Sequence, residues 1–184
     1  MILTGPEIDR EVCAGRIQIK PYNKKFIEPN SYGFHLASKL ICYEDTILDP
    51  GFKPKERVLE IPESGFCLQP GVFYLGSTIE TMGSEFYAKT LYGNRSIGTL
   101  GMWIQFSAPL GHTGAVIPWT LEIRVSHPTI VYPGMLVGKI AFWNPKGNRT
   151  IYDGKYTGST GVVSSRLVKE VAPIRNEKFE EVIK

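Results

Sequence analysis

Residues 93–123 read GNRSIGTLGMWIQFSAPLGHTGAVIPWTLEI, and the pattern of this stretch decides the fold class. We predict a turn, a short strand, a glycine-punctuated loop and a longer strand, in that order. The longer strand is the clearest part, because apolar and polar side chains alternate along it. Its apolar face comprises Trp119, Leu121, Ile123 and Val125, and its polar face Thr120, Glu122 and Arg124. Glu122 is therefore predicted to be a carboxylate fixed on a rigid strand.

The rest of the chain consists mostly of short β-type runs with one early helix. Thr4 and Glu7 have the spacing of a capping box, which predicts a short helix at the N-terminus. Residues 66–76 predict a hairpin that turns at a Pro-Gly pair, and residues 129–142 repeat the strand–turn–strand pattern. Together these runs predict a mainly β protein, an antiparallel barrel or jelly roll with a short N-terminal helix.

The length of the chain fits one domain over residues 1–184, which is large enough to bury its own core. From about residue 144 the sequence becomes polar and rich in glycine. Such a composition is typical of a mobile segment, so residues 144–184 are predicted to form a C-terminal arm.

The composition excludes several classes of protein. The net charge is only +3 and the basic residues are spread out, which argues against a nucleic-acid binder. The three cysteines, Cys13, Cys42 and Cys67, are far apart, as expected for a chain in the reducing cytoplasm. Residues 1–6 do not resemble a signal peptide, and no apolar run reaches the roughly 20 residues of a membrane span.

The central stretch resembles the dCTP deaminase branch of the trimeric dUTPase-like superfamily, which reads similarly to GRSSIGRLGL and, further on, WTLEI. The matching residues are Gly93, Ser96, Ile97, Gly98, Leu100, Gly101, Ala108, Gly111, Gly114 and Trp119 to Ile123. Similar segments occur in order over nearly the whole chain. The resemblance implies a dUTPase-like distorted barrel, a homotrimer with sites between subunits, and a nucleoside triphosphate as ligand.

Deamination of a cytosine ring requires a water activated beside C4 and a group that carries its proton to the leaving ammonia. Zinc deaminases show an HxE and a PCxxC signature, and this chain has neither, so we expect no zinc and a metal-independent chemical step. The resemblance assigns the role of general base and acid to Glu122. The alternative is an exposed strand glutamate that pairs with a cross-strand lysine.

Arg95 and Ser96 offer a guanidinium and a hydroxyl, which suit phosphate binding. In the family this turn reads Gly-Arg-Ser-Ser, and a second arginine follows. Aligned without gaps, the first arginine is Asn94 here and the later one is Thr99; a one-residue slip would restore Arg-Ser as Arg95-Ser96. The alternative is a β-turn with a surface arginine.

The resemblance also implies a base-reading loop at residues 108–113, with Ala108 and His112 as candidate contacts. His112 replaces the aspartate of the family, and Gln105 replaces its histidine. A lone loop histidine is more often simply solvated.

In relatives the C-terminal arm closes over the triphosphate. The matching Tyr152 and Lys155 are therefore predicted to reach phosphate oxygens, and Thr160 takes the place of a base-contacting glutamine. A solvated tail is the alternative.

Three functions remain open at this point. The first is hydrolytic deamination of a pyrimidine deoxynucleoside triphosphate, dCTP to dUTP, with Mg²⁺ held mainly by the triphosphate and water. The second is a related enzyme with a shifted substrate or diphosphatase activity. The third is a nucleotide-binding protein without turnover, which the replaced residues favour, namely Thr99, Gln105, His112 and Thr160.

Overall fold

A computed structural model describes residues 1–174 and shows a mainly β architecture. The helices are α1 (Gly5–Cys13), α2 (Arg95–Thr99) and a 3₁₀ turn (Lys24–Phe26). The strands are β1 (Gln18–Lys20), β2 (Ile27–Glu28), β3 (Ser31–His35), β4 (Lys39–Tyr43), β5 (Glu56–Glu60), β6 (Phe66–Leu68), β7 (Tyr74–Gly83), β8 (Ala88–Gly93), β9 (Met102–Trp103), β10 (Leu110–Gly111), β11 (Val116–Val125), β12 (Thr129–Val131) and β13 (Leu136–Trp143).

Two larger sheets and one small one make up the barrel. The first sheet has the order β5-β4-β7-β11-β9, with β1 also paired to β7, and the second has the order β10-β8-β13-β3-β2. Strands β12 and β6 form the third. Every strand pair within residues 1–174 is antiparallel, which confirms the predicted fold class.

One apolar core joins the two larger sheets. Leu121 and Ile123 of β11 belong to the same buried cluster as Phe34, Ile140 and Phe142 of the second sheet. The alternation predicted for β11 is confirmed, because Leu121, Ile123 and Val125 are buried whereas Glu122 is half-buried. The core thus fixes the rotation of β11, and that rotation turns Glu122 to the opposite face.

The predicted N-terminal helix is confirmed as α1, but its capping box does not form. Thr4 stands at the N-cap position without a side-chain hydrogen bond, and Glu7 pairs with Arg10 instead. The helix is held by its buried face, which includes the fully buried Ile8, and by the hydrogen bond from Gly5 N to Pro29 O at 2.8 Å.

The hairpin predicted over residues 66–76 is wrong, although both of its strands exist. Strand β6 pairs with β12, and β7 pairs with β1, β4 and β11. The Pro-Gly turn joins strands of two different sheets. Such a corner lets the two sheets enclose one core.

None of the helices within residues 1–174 combines the length and the apolar character that crossing a lipid bilayer requires.

Candidate active site

Glu122 lies in the middle of β11, and a loop holds its carboxylate in place. Its Oε2 accepts hydrogen bonds from Phe106 N at 2.6 Å and from Ser107 N at 3.0 Å. Its own backbone N–H donates to Ile104 O at 2.9 Å. The loop is therefore hydrogen-bonded to both the side chain and the backbone of Glu122, and the side chain is fixed in one orientation.

The alternative interpretation of Glu122 as half of a cross-strand ion pair does not fit. The residue opposite Glu122 on β7 is Leu75, and the ion pairs found among residues 1–174 do not include Glu122. Both side-chain hydrogen bonds end on Oε2, and none within this part of the chain ends on Oε1. Oε1 is the oxygen that can exchange a proton with a bound water.

The predicted turn at residues 94–96 is instead the start of α2. Asn94 is the N-cap residue: its Oδ1 accepts from Ile97 N at 2.9 Å and its Nδ2 donates to Leu136 O at 2.8 Å. In the ungapped alignment Asn94 occupies the position of the first family arginine. Here its side chain ties α2 to β13.

Replacing Asn94 with alanine is expected to destabilise the protein by about 1 kcal/mol, because the helix loses its cap and Leu136 O loses a donor. Chemical denaturation followed by intrinsic fluorescence measures this loss. Asn94→Ser is the matched variant, since serine also caps helices; an equal loss in both variants would show that the cap contributes nothing.

Arg95 and Ser96 stand exposed on the first turn of α2. The backbone carbonyl of Ser96 accepts the hydroxyl of Thr99 at 3.0 Å. Among the hydrogen bonds and ring contacts of residues 1–174, none joins either side chain to Glu122 or Tyr152. The two phosphate-binding candidates on α2 are thus available to a ligand but are not assembled with the other candidates.

The structure brings the candidates His112 and Tyr152 together. Their rings stack with centroids 5.5 Å apart and planes inclined by 16°. Tyr152 N donates to Thr113 O at 2.8 Å, so the arm is also joined to the loop backbone. Gly114 makes this approach possible, since a Cβ there would lie 2.5 Å from Ile151 Cγ2.

Lys155 has an acidic partner in the arm itself. Its Nζ donates to Glu170 at 2.6 Å, and this hydrogen bond raises the pKa of the Lys155 ammonium. A phosphate that binds Lys155 therefore competes with Glu170.

The base-binding candidates Ala108 and Thr160 are both exposed.

The arm lies against its own barrel within the described residues. Val163 N donates to Thr120 Oγ1 at 3.2 Å, and Ser165 N donates to Tyr43 OH at 3.1 Å. Thr120 is two residues from Glu122 on the same face, about 7 Å along the strand. The arm thus runs beside the carboxylate. The last ten residues of the predicted arm, 175–184, lie outside the described part of the chain.

The sequence reasoning missed Lys89, which is fully buried in β8. The alternation along β8 could have indicated this burial, because Lys89 points to the same side of the strand as Leu91, which is buried. The amides of Phe106 and Ser107 that hold Glu122 were missed as well; no residue-type pattern marks a backbone donor.

Comparison with known proteins identifies the family to which this chain belongs. A family model described as dCTP deaminase-like matches residues 2–144, well over half of the chain. The chain belongs to the dCTP deaminase-like family. The resemblance inferred from the central stretch is thereby confirmed.

The family includes named enzymes that this member matches over most of its length. A protein of Leptospira biflexa named "dCTP deaminase, dUMP-forming" is 40% identical over 171 residues, covering 92% of this chain and 98% of the relative. A protein of Hathewaya histolytica with the same name is 38% identical over 171 residues, covering 92% and 99%.

A solved structure shows the same fold. The 2'-deoxycytidine 5'-triphosphate deaminase of Agrobacterium tumefaciens superimposes with a TM-score of 0.62 at 18% identity, over 77% of this chain. This family member spans about half of that chain, 47% of its length. At this identity the likeness concerns the fold alone.

No three His, Cys, Asp or Glu side chains of residues 1–174 are grouped as metal ligands. A Mg²⁺ ion bound through phosphate oxygens and water would fit this donor set, since Mg²⁺ in nucleotide sites takes few protein ligands.

Proposed function

We propose that this family member deaminates dCTP hydrolytically and that Glu122 carries the proton transfers. The observation that carries the proposal is the carboxylate of Glu122, fixed on β11 through Oε2 while Oε1 remains without a partner among the described residues. A positioned carboxylate of this kind can act first as general base and then as general acid. The chemical step in this proposal uses no metal.

The proposed reaction proceeds by addition and elimination. Water adds to C4 of the cytosine and gives a proton to Glu122, which passes it to the exocyclic nitrogen. The C4–N bond breaks, ammonia leaves and the proton of the added hydroxyl moves to N3, so that a uracil ring remains. The structural role of the Phe106 and Ser107 amides is to hold Glu122 still during both transfers.

We propose dUMP as the final product, in place of the dUTP expected from the sequence alone. The relatives from Leptospira and Hathewaya are named dUMP-forming. A second water then hydrolyses the bond between the α- and β-phosphates, and diphosphate leaves. In total, dCTP and two waters give dUMP, ammonia and diphosphate.

The proposed site is completed by further copies of the chain in a homotrimer. Two observations support this. Arg95 and Ser96 are exposed and make no hydrogen bond to Glu122 among the described residues, and three aromatic side chains at Phe73, Trp103 and Phe106 lie partly exposed beside the loop that holds Glu122. Light scattering checks the assembly, and a monomer would contradict it.

In this proposal the phosphates are bound by Arg95, Ser96, Tyr152 and Lys155, with Mg²⁺ on the triphosphate. The loop at residues 108–113 and Thr160 read the base.

Replacing Glu170 with glutamine is expected to tighten triphosphate binding about two- to fivefold, because Lys155 loses the carboxylate that competes with phosphate. Isothermal titration calorimetry with dCTP and Mg²⁺ measures the change. Glu63→Gln, an exposed loop substitution, is the matched control. Weaker binding in Glu170→Gln would show that the ion pair helps to hold the arm in its binding position.

Nucleotide binding without turnover is the second candidate. The observation that favours it is the use of Asn94 as a helix cap at the position of a family arginine. An Asn94→Arg variant that gains activity would show that the loss of the arginine at residue 94 limits turnover.

Incubation with a panel of cytidine and uridine nucleotides and Mg²⁺, followed by mass spectrometry, separates these functions. The proposal predicts dUMP from dCTP. Accumulation of dUTP would assign deamination without diphosphate release. Binding of dCTP in calorimetry with no product would establish the second candidate.

A further inference from the structure

Lys89 is a buried amine under the loop that meets the arm. It is fully buried in β8, and its Nζ donates to His112 O at 2.7 Å and to Ser84 O at 3.3 Å. The indole ring of Trp119 lies 5.9 Å from Nζ. Its stem fills the space under Gly111, where a Cβ would come within 2.7 Å of Lys89 Cγ.

No carboxylate pairs with this amine in the described part of the chain. The ion pairs among residues 1–174 do not include Lys89. Burial lowers the pKa of its ammonium to about 7. An apolar side chain of similar length would fill the same space without the cost of burying an amine. The amine makes two hydrogen bonds that an apolar side chain could not make.

The amine holds a turn in place. The turn of residues 112–115 is closed by Ala115 N, which donates to His112 O at 3.1 Å, and it is joined to Ser84 by Gly114 N, which donates to Ser84 O at 2.8 Å. Lys89 Nζ donates to both of these carbonyls. The turn is thus fastened to the barrel at two points that share one side chain.

The arm docks on this same turn. Tyr152 contacts it through the hydrogen bond to Thr113 O and through the ring stack on His112. Ile151 packs against Gly114, since a Cβ at residue 114 would lie too close to Ile151 Cγ2. Lys89 and Tyr152 therefore both contact this one short turn.

We propose that Lys89 is a positioning residue that fixes the 112–115 turn as the platform on which the arm docks at Tyr152. The arm position is a property of the free protein. Its consequence for the nucleotide, namely the placement of Tyr152 and Lys155 over the phosphates, rests on the proposed function.

Hydrogen exchange of the Lys89→Met variant without nucleotide tests the proposal. Methionine keeps the stem and removes the amine, so the amides of Ala115 and Tyr152 are expected to exchange at least about tenfold faster than in the wild type. The amide of Ile61, which donates to Ser38 O at 2.7 Å on the β4–β5 side, is expected to keep its rate. The matched control is Lys139→Met, which removes a half-buried lysine paired with Glu28.

A conservative variant separates positioning from packing. Glutamine at position 89 restores a donor without a charge, so Lys89→Gln is expected to recover part of the protection at Tyr152. Unchanged exchange at Tyr152 in a folded Lys89→Met protein would overturn the proposal. So would a uniform rise that includes Ile61, or failure of both variants to fold, because Lys89 would then serve only the barrel. Since no nucleotide is present, a failed activity assay does not affect this result.

Discussion

Replacing Glu122 with glutamine is expected to lower the rate of dCTP turnover by about 10²- to 10⁴-fold. Glutamine is nearly the same shape, and its amide oxygen can still accept from Phe106 N and Ser107 N. The loop should therefore keep its conformation while the side chain can no longer take and return a proton. Steady-state release of ammonia from dCTP measures the loss.

Two controls isolate the chemistry in this experiment. Glu60→Gln changes an exposed strand glutamate on β5 and is expected to keep full activity. The affinity of Glu122→Gln for dCTP is expected to stay within a few-fold of the wild type. Undiminished turnover in Glu122→Gln would assign the proton transfers to another group.

Replacing Lys89 with methionine is expected to stabilise the protein most at neutral and lower pH. The folded pKa of Lys89 is about 7, below the ordinary value of 10.5, so between these pH values the unfolded chain holds a proton that the folded chain lacks. This group therefore makes wild-type stability rise as pH rises from about 7 to 10.5. The shift corresponds to roughly 5 kcal/mol at most, and the two carbonyl acceptors lost in the variant offset part of it.

Urea denaturation of both proteins between pH 6.5 and 10, a range chosen to cover this window, measures the difference. The variant is expected to be more stable at the lower end, and its advantage is expected to shrink as pH rises. Other ionisable groups are shared by both proteins and cancel in the comparison. A difference in stability that does not change with pH would show that Lys89 keeps its proton throughout.

The sequence was sufficient to predict β11 and the place of Glu122 on it. Alternation over Trp119 to Val125 is a local signal, because a half-buried antiparallel strand has to place apolar and polar side chains on opposite faces. The mainly β class followed from equally local signals. The N-terminal helix was predicted from a capping box that does not form, and its buried face holds it instead. The role of Glu122 came from the resemblance of residues 119–123, since alternation alone predicts only its direction.

Pairing partners and burial could not be predicted in the same way. The Pro-Gly turn after β6 indicates a reversal of the chain, but only the tertiary fold determines that β6 pairs with β12. Asn94 shows a similar limit: an asparagine before Arg95 and Ser96 fits a turn as well as a helix cap. The stack of His112 on Tyr152 joins residues 40 positions apart, and their types alone do not indicate it.

Lys89 illustrates the reason most clearly. A lysine in a strand is usually exposed. The residue type therefore predicted an exposed side chain, although Lys89 lies on the same side of β8 as the apolar Leu91. Its burial depends on the loop and Trp119 closing over it, which are contacts from distant parts of the chain.

The most direct measurement is the simultaneous determination of ammonia, diphosphate and dUMP released from dCTP and Mg²⁺ by the wild-type protein. We predict equal amounts of all three, produced over many turnovers and lost together in Glu122→Gln. Complete retention of dCTP, in a preparation shown by calorimetry to bind it, would contradict the proposed enzyme.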